Sequence, residues 1–84
     1  MKVTVKKKES NAIPVVIGTE FIKLEAALKF ANAVESGGMA KNVIQDSLVK
    51  VNGEICTMRG KKLYAGDLFS FMGAVYLICN HESN

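Results

Sequence analysis

Basic side chains are concentrated in the middle of this sequence, where they could bind a polyanion. Residues 41–62 hold five basic residues and two acidic ones, whereas the rest of the chain holds six of each, so this window accounts for the whole net charge of +3. A local excess of positive charge favours a polyanionic partner such as a nucleic acid, although a solvated charged surface is the ordinary alternative. The five basic residues are Lys41, Lys50, Arg59, Lys61 and Lys62.

Two glycines next to this window could help to bind a phosphate. Gly37 and Gly38 precede a predicted helix, and small residues there would let a polyanion approach the free N–H groups of the helix N-terminus. Lys41 and Gln45 stand at positions i and i+4 of the same helix, on its polar side, and would point the same way as those N–H groups. Alternatively, one glycine ends the preceding helix in the left-handed conformation and the other eases a tight turn. The combination with Lys41 and Gln45 favours phosphate binding.

Catalytic chemistry has little support in the sequence. His81 is the single histidine, the acidic residues are scattered, and no phosphate-binding loop of the GxxxxGK[ST] or GxGxxG type occurs. Cys56, Cys79 and His81 could form part of a zinc site, but a fourth ligand and a CxxC pair are missing, so packed or edge cysteines are the preferred interpretation. The sequence therefore predicts no enzyme activity, no cofactor and no metal ion.

The length and composition predict one globular domain covering residues 1–84. The chain is 49% hydrophobic and 23% charged, which is typical of a globular protein, and 84 residues leave room for one core. The longest apolar stretches, 12–18 and 68–79, are too short or too interrupted to span a bilayer. The basic start lacks the features of a signal peptide, and the two cysteines form no disulfide framework. These features predict a cytoplasmic protein with reduced thiols.

Local patterns predict the secondary structure near the N-terminus. Val3 and Val5 alternate with polar residues and predict a short strand. Residues 13–17 are rich in β-branched residues, and Pro14 suits a strand at the edge of a sheet. Thr19 is an expected N-cap for a helix. The apolar stripe of this helix comprises Leu24, Ala27, Leu28 and Ala31, with Phe21 one turn earlier.

A second helix and two hairpins complete the predicted elements. The helix is short, with a periodic run that starts at Ala40. Asn52 and Gly53 between alternating apolar residues predict a type I′ turn, with Lys50 on the opposite face from its neighbouring valines. A turn at 65–67 leads to a second hairpin around Gly73. Together these elements predict an α+β fold in which two packed short helices lie against a small, mostly antiparallel sheet.

Four motifs follow one another along the chain: Phe-Ile-Lys-Leu-Glu-Ala-Ala-Leu-Lys at 21–29, Glu-Ser-Gly-Gly-Met-Ala-Lys at 35–41, Val-Lys-Val-Asn-Gly-Glu at 49–54 and Arg-Gly-Lys-Lys-Leu-Tyr-Ala-Gly-Asp at 59–67. Their order resembles the S-four domain, an RNA-binding module named after ribosomal small-subunit protein four. The match extends over residues 19–71. It is most similar to small stand-alone bacterial proteins of the YaaA and YbcJ type.

The resemblance implies an αL-type RNA-binding fold, with RNA bound across the second helix and the hairpin loops. Asn52, Gly53, Gly66 and Asp67 match positions that build turns. The broader family often has Ser-Arg where this chain has two glycines, so one basic contact is absent. The residues that match RNA-binding positions are Lys23, Gly37, Gly38, Lys41, Lys50, Arg59, Lys61 and Lys62, to which the helical spacing adds Gln45.

The sequence as a whole predicts a monomeric, non-catalytic module that binds structured RNA such as rRNA or tRNA and could associate with the ribosome. Tyr64 could stack on an unpaired base, but a core or edge aromatic is the commoner role. A protein-interaction subunit is the main alternative, docking through a sheet edge at the Val15 strand or the 69–78 hairpin. DNA binding, through Asn42 and Gln45, comes third. The last residues, 81–84, are expected to be disordered.

Overall fold

The computed structural model describes residues 12–80, which form two helices and seven short strands. The predicted strand at Val3 and Val5 and the predicted disordered tail at 81–84 lie outside the described residues. In chain order the elements are β1 (Ile13–Ile17), β2 (Ile22–Lys23), α1 (Leu24–Phe30), α2 (Gly37–Gln45), β3 (Val49–Val51), β4 (Glu54–Ile55), β5 (Lys62–Leu63), β6 (Leu68–Phe71) and β7 (Ala74–Asn80).

Five of the strands form one sheet in the order β1-β7-β6-β3-β4, while β2 and β5 form a separate two-stranded ribbon. The neighbouring strands are antiparallel, except that β1 runs parallel to β7. Among residues 12–80, β1 stands at one end of the sheet, the edge position predicted from Pro14. The predicted class, an α+β fold with two helices and a mostly antiparallel sheet, is confirmed.

Both predicted hairpins are present, and each turns through two residues with positive φ. The values are 51° and 89° at Asn52 and Gly53, and 54° and 82° at Met72 and Gly73. Two consecutive positive φ angles define the type I′ turn, whose twist matches that of the flanking strands. The first turn fixes the register of β3, so that both valines of this strand are buried while Lys50 is exposed, as predicted.

One hydrophobic core lies between the helices and the inner face of the sheet. Leu24, Leu28 and Ile44 of the helices are fully buried, and the rings of Phe69 and Tyr76 stack with centroids 4.7 Å apart. Burial of one such large side chain stabilises the fold by about 1.5–3 kcal/mol relative to exposure. Both helices are shorter than the roughly 12 residues below which an isolated helix is marginal, so this packing maintains them.

The predicted start of the first helix at Thr19 is wrong. α1 begins at Leu24, and the Thr19 hydroxyl donates instead to the carbonyl of Phe21 at 2.8 Å. Phe21 itself lies before the helix. The segment in between is extended because β2 pairs with β5, so a tertiary contact overrides the local capping signal. Three residues of the expected apolar stripe are buried, namely Leu24, Ala27 and Leu28.

The connection between the helices does not use a glycine to end the first helix. Asn32, just beyond the end of α1, adopts a positive φ of 61° without a glycine. α2 begins at Gly37, three residues before the periodic apolar run, and the Ser36 hydroxyl caps it by accepting from the N–H of Met39 at 3.2 Å. The alternative in which Gly37 or Gly38 ends the first helix is therefore wrong, because both lie in the first turn of the second.

Candidate nucleic-acid interface

The two-stranded ribbon of β2 and β5 brings two lysines to one face. Lys23 is the direct partner of Lys62, and Ile22 is the partner of Leu63. Leu63 is fully buried, so the strand alternation turns the two lysines toward solvent, where both are exposed. Like charges directly opposite each other destabilise a strand pair. The register therefore places two positive charges on neighbouring strands of one exposed face.

The loop before β5 adds two more cations at the same end of α1. The N–H of Leu24 donates to the carbonyl of Lys61 at 2.9 Å, and the N–H of Glu25 donates to the carbonyl of Arg59 at 3.2 Å. These bonds satisfy donors that a helix N-terminus leaves free, and they hold the loop against the helix. We call the four residues gathered here, Lys23, Arg59, Lys61 and Lys62, the basic ribbon.

The cations of the basic ribbon are only partly neutralised. Arg59 Nη1 lies 4.0 Å from Glu25 Oε1, and both side chains are well exposed, at 46% and 39%. The ammonium of Lys62 lies 4.8 Å from the centroid of the Phe21 ring, which is a cation–π contact. Lys23 and Lys61 have no carboxylate partner within residues 12–80. One carboxylate therefore accompanies four cations.

Lys50 lies on a different surface from the basic ribbon. It projects from the outer face of the sheet, opposite Ser70 on one side and Ile55 on the other. An open groove of about 230 Å³ borders it, with Asn52 and Val75 among the lining residues. The inner face of β3 belongs to the core, so the sheet separates Lys50 from the helices.

Lys61 connects the basic ribbon to the first hairpin. It lines an open groove of about 340 Å³ together with Asn52 and Glu54 of the hairpin and Met58 of the following loop. Glu54 is the acidic member of this lining. The hairpin loop that the family resemblance implicates in RNA contact is thus adjacent to the ribbon, even though Lys50 points away from the core.

The second helix presents a separate polar face. Its apolar residues are buried, whereas Lys41 and Gln45 are exposed. The N–H groups of Gly37 and Gly38 have no acceptor within the described residues, since the Ser36 hydroxyl is bonded to the next N–H along the chain. No hydrogen bond or ion pair between the described residues links Lys41 or Gln45 to the basic ribbon, although the two helices pack against each other. The predicted residues therefore belong to three structural elements: the ribbon with its loop, the outer face of the sheet and the exposed side of α2.

A hydrogen-bond network fixes the loops beside the basic ribbon. Asp67 accepts from the backbone N–H of Tyr64 at 2.7 Å through one carboxylate oxygen and from the Asn52 amide at 3.3 Å through the other. The Asn52 side chain in turn accepts from the N–H of Leu68 at 2.9 Å. Asn52 and Asp67 are thus turn builders, as expected, and they connect the first hairpin to the start of β6.

Sequence reasoning missed the contact between Phe21 and Tyr64. Their ring centroids are 5.8 Å apart with an interplanar angle of 51°, and Tyr64 is exposed rather than part of the core. The helical periodicity predicts Phe21 on the apolar stripe of α1, whereas its ring contacts Tyr64. The available signal was the two-residue spacing of Lys62 and Tyr64, which places both side chains on one face of an extended segment.

The described residues offer little for metal binding. Cys56 and Cys79 are free thiols, and residues 12–80 contain no group of three or more His, Cys, Asp or Glu side chains that could hold a metal ion. The third residue of the hypothetical zinc set, His81, lies outside this range. Over the same range no helix has the length and apolar character needed to cross a membrane.

The fold and the clustered cations define a class: a small α+β domain that presents basic side chains on a short ribbon beside a helix pair. Comparison with known proteins identifies the family within that class. The S4 domain model matches residues 15–79, which is most of the chain, so the chain belongs to the S4 domain family. It is also 45% identical over 62 residues to the Bacillus subtilis (strain 168) protein named "Probable ribosome maturation protein RlbA", an alignment that covers 74% of this chain and 87% of that protein.

Proposed function

We propose that this chain is a single, non-catalytic RNA-binding domain of the αL type, which contacts structured RNA through the basic ribbon. The observation that carries the proposal is the β2–β5 register, which sets Lys23 opposite Lys62. Phosphates are the natural partners of unpaired lysines, and backbone contacts of this kind position a protein on nucleic acid. Membership of the S4 domain family favours RNA over other polyanions.

We further propose that the RNA is ribosomal and is bound while ribosomes mature. The support is the name of the B. subtilis relative, a ribosome maturation protein. Transfer RNA is the second candidate RNA. Crosslinking inside cells, followed by sequencing of the attached nucleic acid, distinguishes them, because recovery of rRNA supports the proposal and recovery of tRNA alone overturns its ribosomal part.

Lys41, Gln45 and Lys50 would be secondary contacts in this proposal, as would the N–H groups of Gly37 and Gly38. Within residues 12–80 no hydrogen bond or ion pair links them to the basic ribbon, and Lys50 projects from the outer face of the sheet. Their variants are therefore expected to weaken binding less than variants of the ribbon.

Salt dependence of RNA binding tests the basic ribbon directly. If four cations each neutralise one phosphate, log K should fall against log salt with a slope of about −3 to −4. Neutralising Lys23 or Lys62 to Gln should reduce the steepness of that slope by about one unit. Lys29→Gln is the matched control, because Lys29 is an exposed lysine in the last turn of α1, away from the ribbon.

Two results would contradict this proposal. One is the absence of binding to both rRNA fragments and tRNA at low salt, and the other is an equal loss of affinity in Lys29→Gln and in the ribbon variants, which would mean that only net charge matters. Competition with duplex DNA of equal length provides a further criterion, since preferential displacement by DNA would favour the DNA-binding alternative.

A protein-docking function is the second candidate, because part of the outer face of the sheet exposes apolar side chains. Val16, Leu68 and Val75 are exposed there, and β1 is an edge strand of the sheet formed by residues 12–80. The other edge suggested by the sequence, the 69–78 hairpin, is wrong, since β6 and β7 are interior strands. A partner that stays bound after nuclease treatment and in high salt would favour docking over RNA binding.

A further inference from the structure

The pair formed by Phe21 and Tyr64 lies within the basic ribbon. Lys62 contacts the Phe21 ring, Tyr64 contacts the same ring, and Lys23 is the cross-strand partner of Lys62. Two aromatic rings and two cations are therefore contiguous. Tyr64 is 44% exposed, so part of its surface is open to a ligand.

The chain around Tyr64 is held in place before any ligand binds. The N–H of Tyr64 donates to Asp67 at 2.7 Å, and the carbonyl of Tyr64 accepts from the N–H of Asp67 at 2.9 Å. The preceding residue, Leu63, is fully buried and paired with Ile22. A side chain on such a fixed backbone loses little conformational entropy when a ligand stacks on it.

We propose that Tyr64 is a stacking site for one unpaired nucleobase, with Phe21 supporting its ring and Lys62 and Lys23 binding the flanking phosphates. This inference rests on the proposed RNA-binding function and narrows the ligand to RNA with a bulged or looped nucleotide. Aromatic side chains beside cations are the usual means of binding unpaired bases, because every base has a face that stacks. A fully paired RNA helix keeps its bases stacked inside and exposes no base face to Tyr64.

Phe21 is half-buried and Tyr64 is exposed, so the pair lies at the surface of the domain and not in its core. The core already has its own stacked pair in Phe69 and Tyr76. The cation–π contact with Phe21 orients the otherwise flexible ammonium of Lys62. Both features favour a preformed ligand site over a purely structural role for the pair.

Three hairpin RNAs with the same stem test the site: one with a single bulged adenosine, one with an abasic ribose at the bulge, and one fully paired. Their affinities are measured by fluorescence anisotropy at low salt. The wild-type protein should prefer the bulged adenosine to the abasic RNA by about five- to a hundred-fold, the equivalent of one base stacking on one aromatic ring. Tyr64→Ala should lose this preference, and Tyr64→Phe should keep it.

Phe30→Ala provides the matched control, because Phe30 is an exposed aromatic residue at the end of α1. It should keep the preference for the bulged base. Tyr64→Ala should also bind the abasic RNA as tightly as the wild type does, which excludes general damage to the ribbon. Circular dichroism of each variant verifies folding.

Tyrosine fluorescence gives a second readout, since the chain has two tyrosines and no tryptophan. The bulged RNA should quench the exposed Tyr64, whereas Tyr76 is buried, so Tyr64→Phe should abolish the quenching. Wild-type protein that binds the bulged and abasic RNAs equally would overturn the stacking site and leave RNA binding intact. If the wild-type protein bound none of the three hairpin RNAs and neither rRNA nor tRNA, the proposed function itself would be overturned.

Discussion

Replacing Gly37 and Gly38 by alanine should stabilise the fold and weaken RNA binding at the same time. Both residues lie in the first turn of α2 with N–H groups that have no acceptor within residues 12–80. A Cβ added at Gly37 meets nothing within 4 Å, and one added at Gly38 meets only the Ser36 hydroxyl at 3.9 Å. The packing of this domain therefore does not require glycine at either position.

The expected gain in stability follows from helix propensity. Alanine is favoured over glycine by about 1 kcal/mol in a helix interior, and by about 0.4–1 kcal/mol through the entropy of the unfolded chain. We take about 0.5 kcal/mol for each position in the first turn, hence about 1 kcal/mol for the double variant. For a domain of this size that raises Tm by about 4–8 °C.

The expected loss of affinity follows from the N–H groups of the helix end. Alanine keeps both N–H groups, so its methyl groups act only by holding a phosphate further away. Losing part of a charge-assisted hydrogen bond of about 1.5–3 kcal/mol should weaken binding by about two- to fivefold, which is less than the loss expected for a variant of the basic ribbon. Thermal melts and anisotropy titrations measure the two effects. Unchanged affinity would refute the role of this helix end, and a lower Tm would refute the argument about packing.

Gly73→Ala is the matched control for the stability argument. Its added Cβ also meets nothing within 4 Å, but its φ is 82°, a region that alanine avoids at a cost of about 1–2 kcal/mol. The same chemical change should therefore lower Tm at Gly73 and raise it at Gly37 and Gly38. Equal signs at the two sites would show that backbone conformation does not explain the effect.

Three further substitutions test the site and the core. Glu25→Gln should lower the free energy of unfolding by about 0.5–1 kcal/mol, because it removes an exposed ion pair and a favourable charge in the first turn of α1. The same change should tighten RNA binding two- to threefold, because Arg59 loses its carboxylate partner. Weaker RNA binding would contradict this prediction. Asp67→Ala should lower the free energy of unfolding by about 2 kcal/mol, since it removes the acceptor of two hydrogen bonds, as read from urea midpoints. Phe69→Ala should lower the free energy of unfolding by about 3–5 kcal/mol. Phe30 is exposed, so Phe30→Ala should change this free energy by no more than about 0.5 kcal/mol. Similar losses in the two variants would disprove the described core.

Much of the fold follows from local signals in the sequence. The Asn52-Gly53 turn, the edge position of the Pro14 strand and the buried face of the second helix each depend on residues close together in the chain. Such signals are strong because they act through backbone conformation and periodicity. The start of α1 could not be predicted in the same way, since it depends on pairing with a strand about forty residues later, and a plausible cap at Thr19 pointed elsewhere.

The candidate site was only partly accessible to sequence reasoning. The basic character of residues 59–62 was evident, and the family motif added Lys23. These cations come together because β2 pairs with β5. Each of these strands has only two residues, which is too short to give a recognisable strand pattern in the sequence. The alternation of Val49, Lys50 and Val51 did indicate that Lys50 faces away from the core, but local patterns could not indicate which other cations share its surface.

The parallel pairing of β1 with β7 has a consequence for folding order. Ile13 pairs with Tyr76, and closing a loop of about 60 residues costs about 4 kcal/mol of chain entropy. The contacts of the hairpins close far shorter loops, so we expect them to form first and β1 to dock late. In native-state hydrogen exchange, the amides of β1 that bond to β7 should then open in a sub-global unit, ahead of those between β6 and β3.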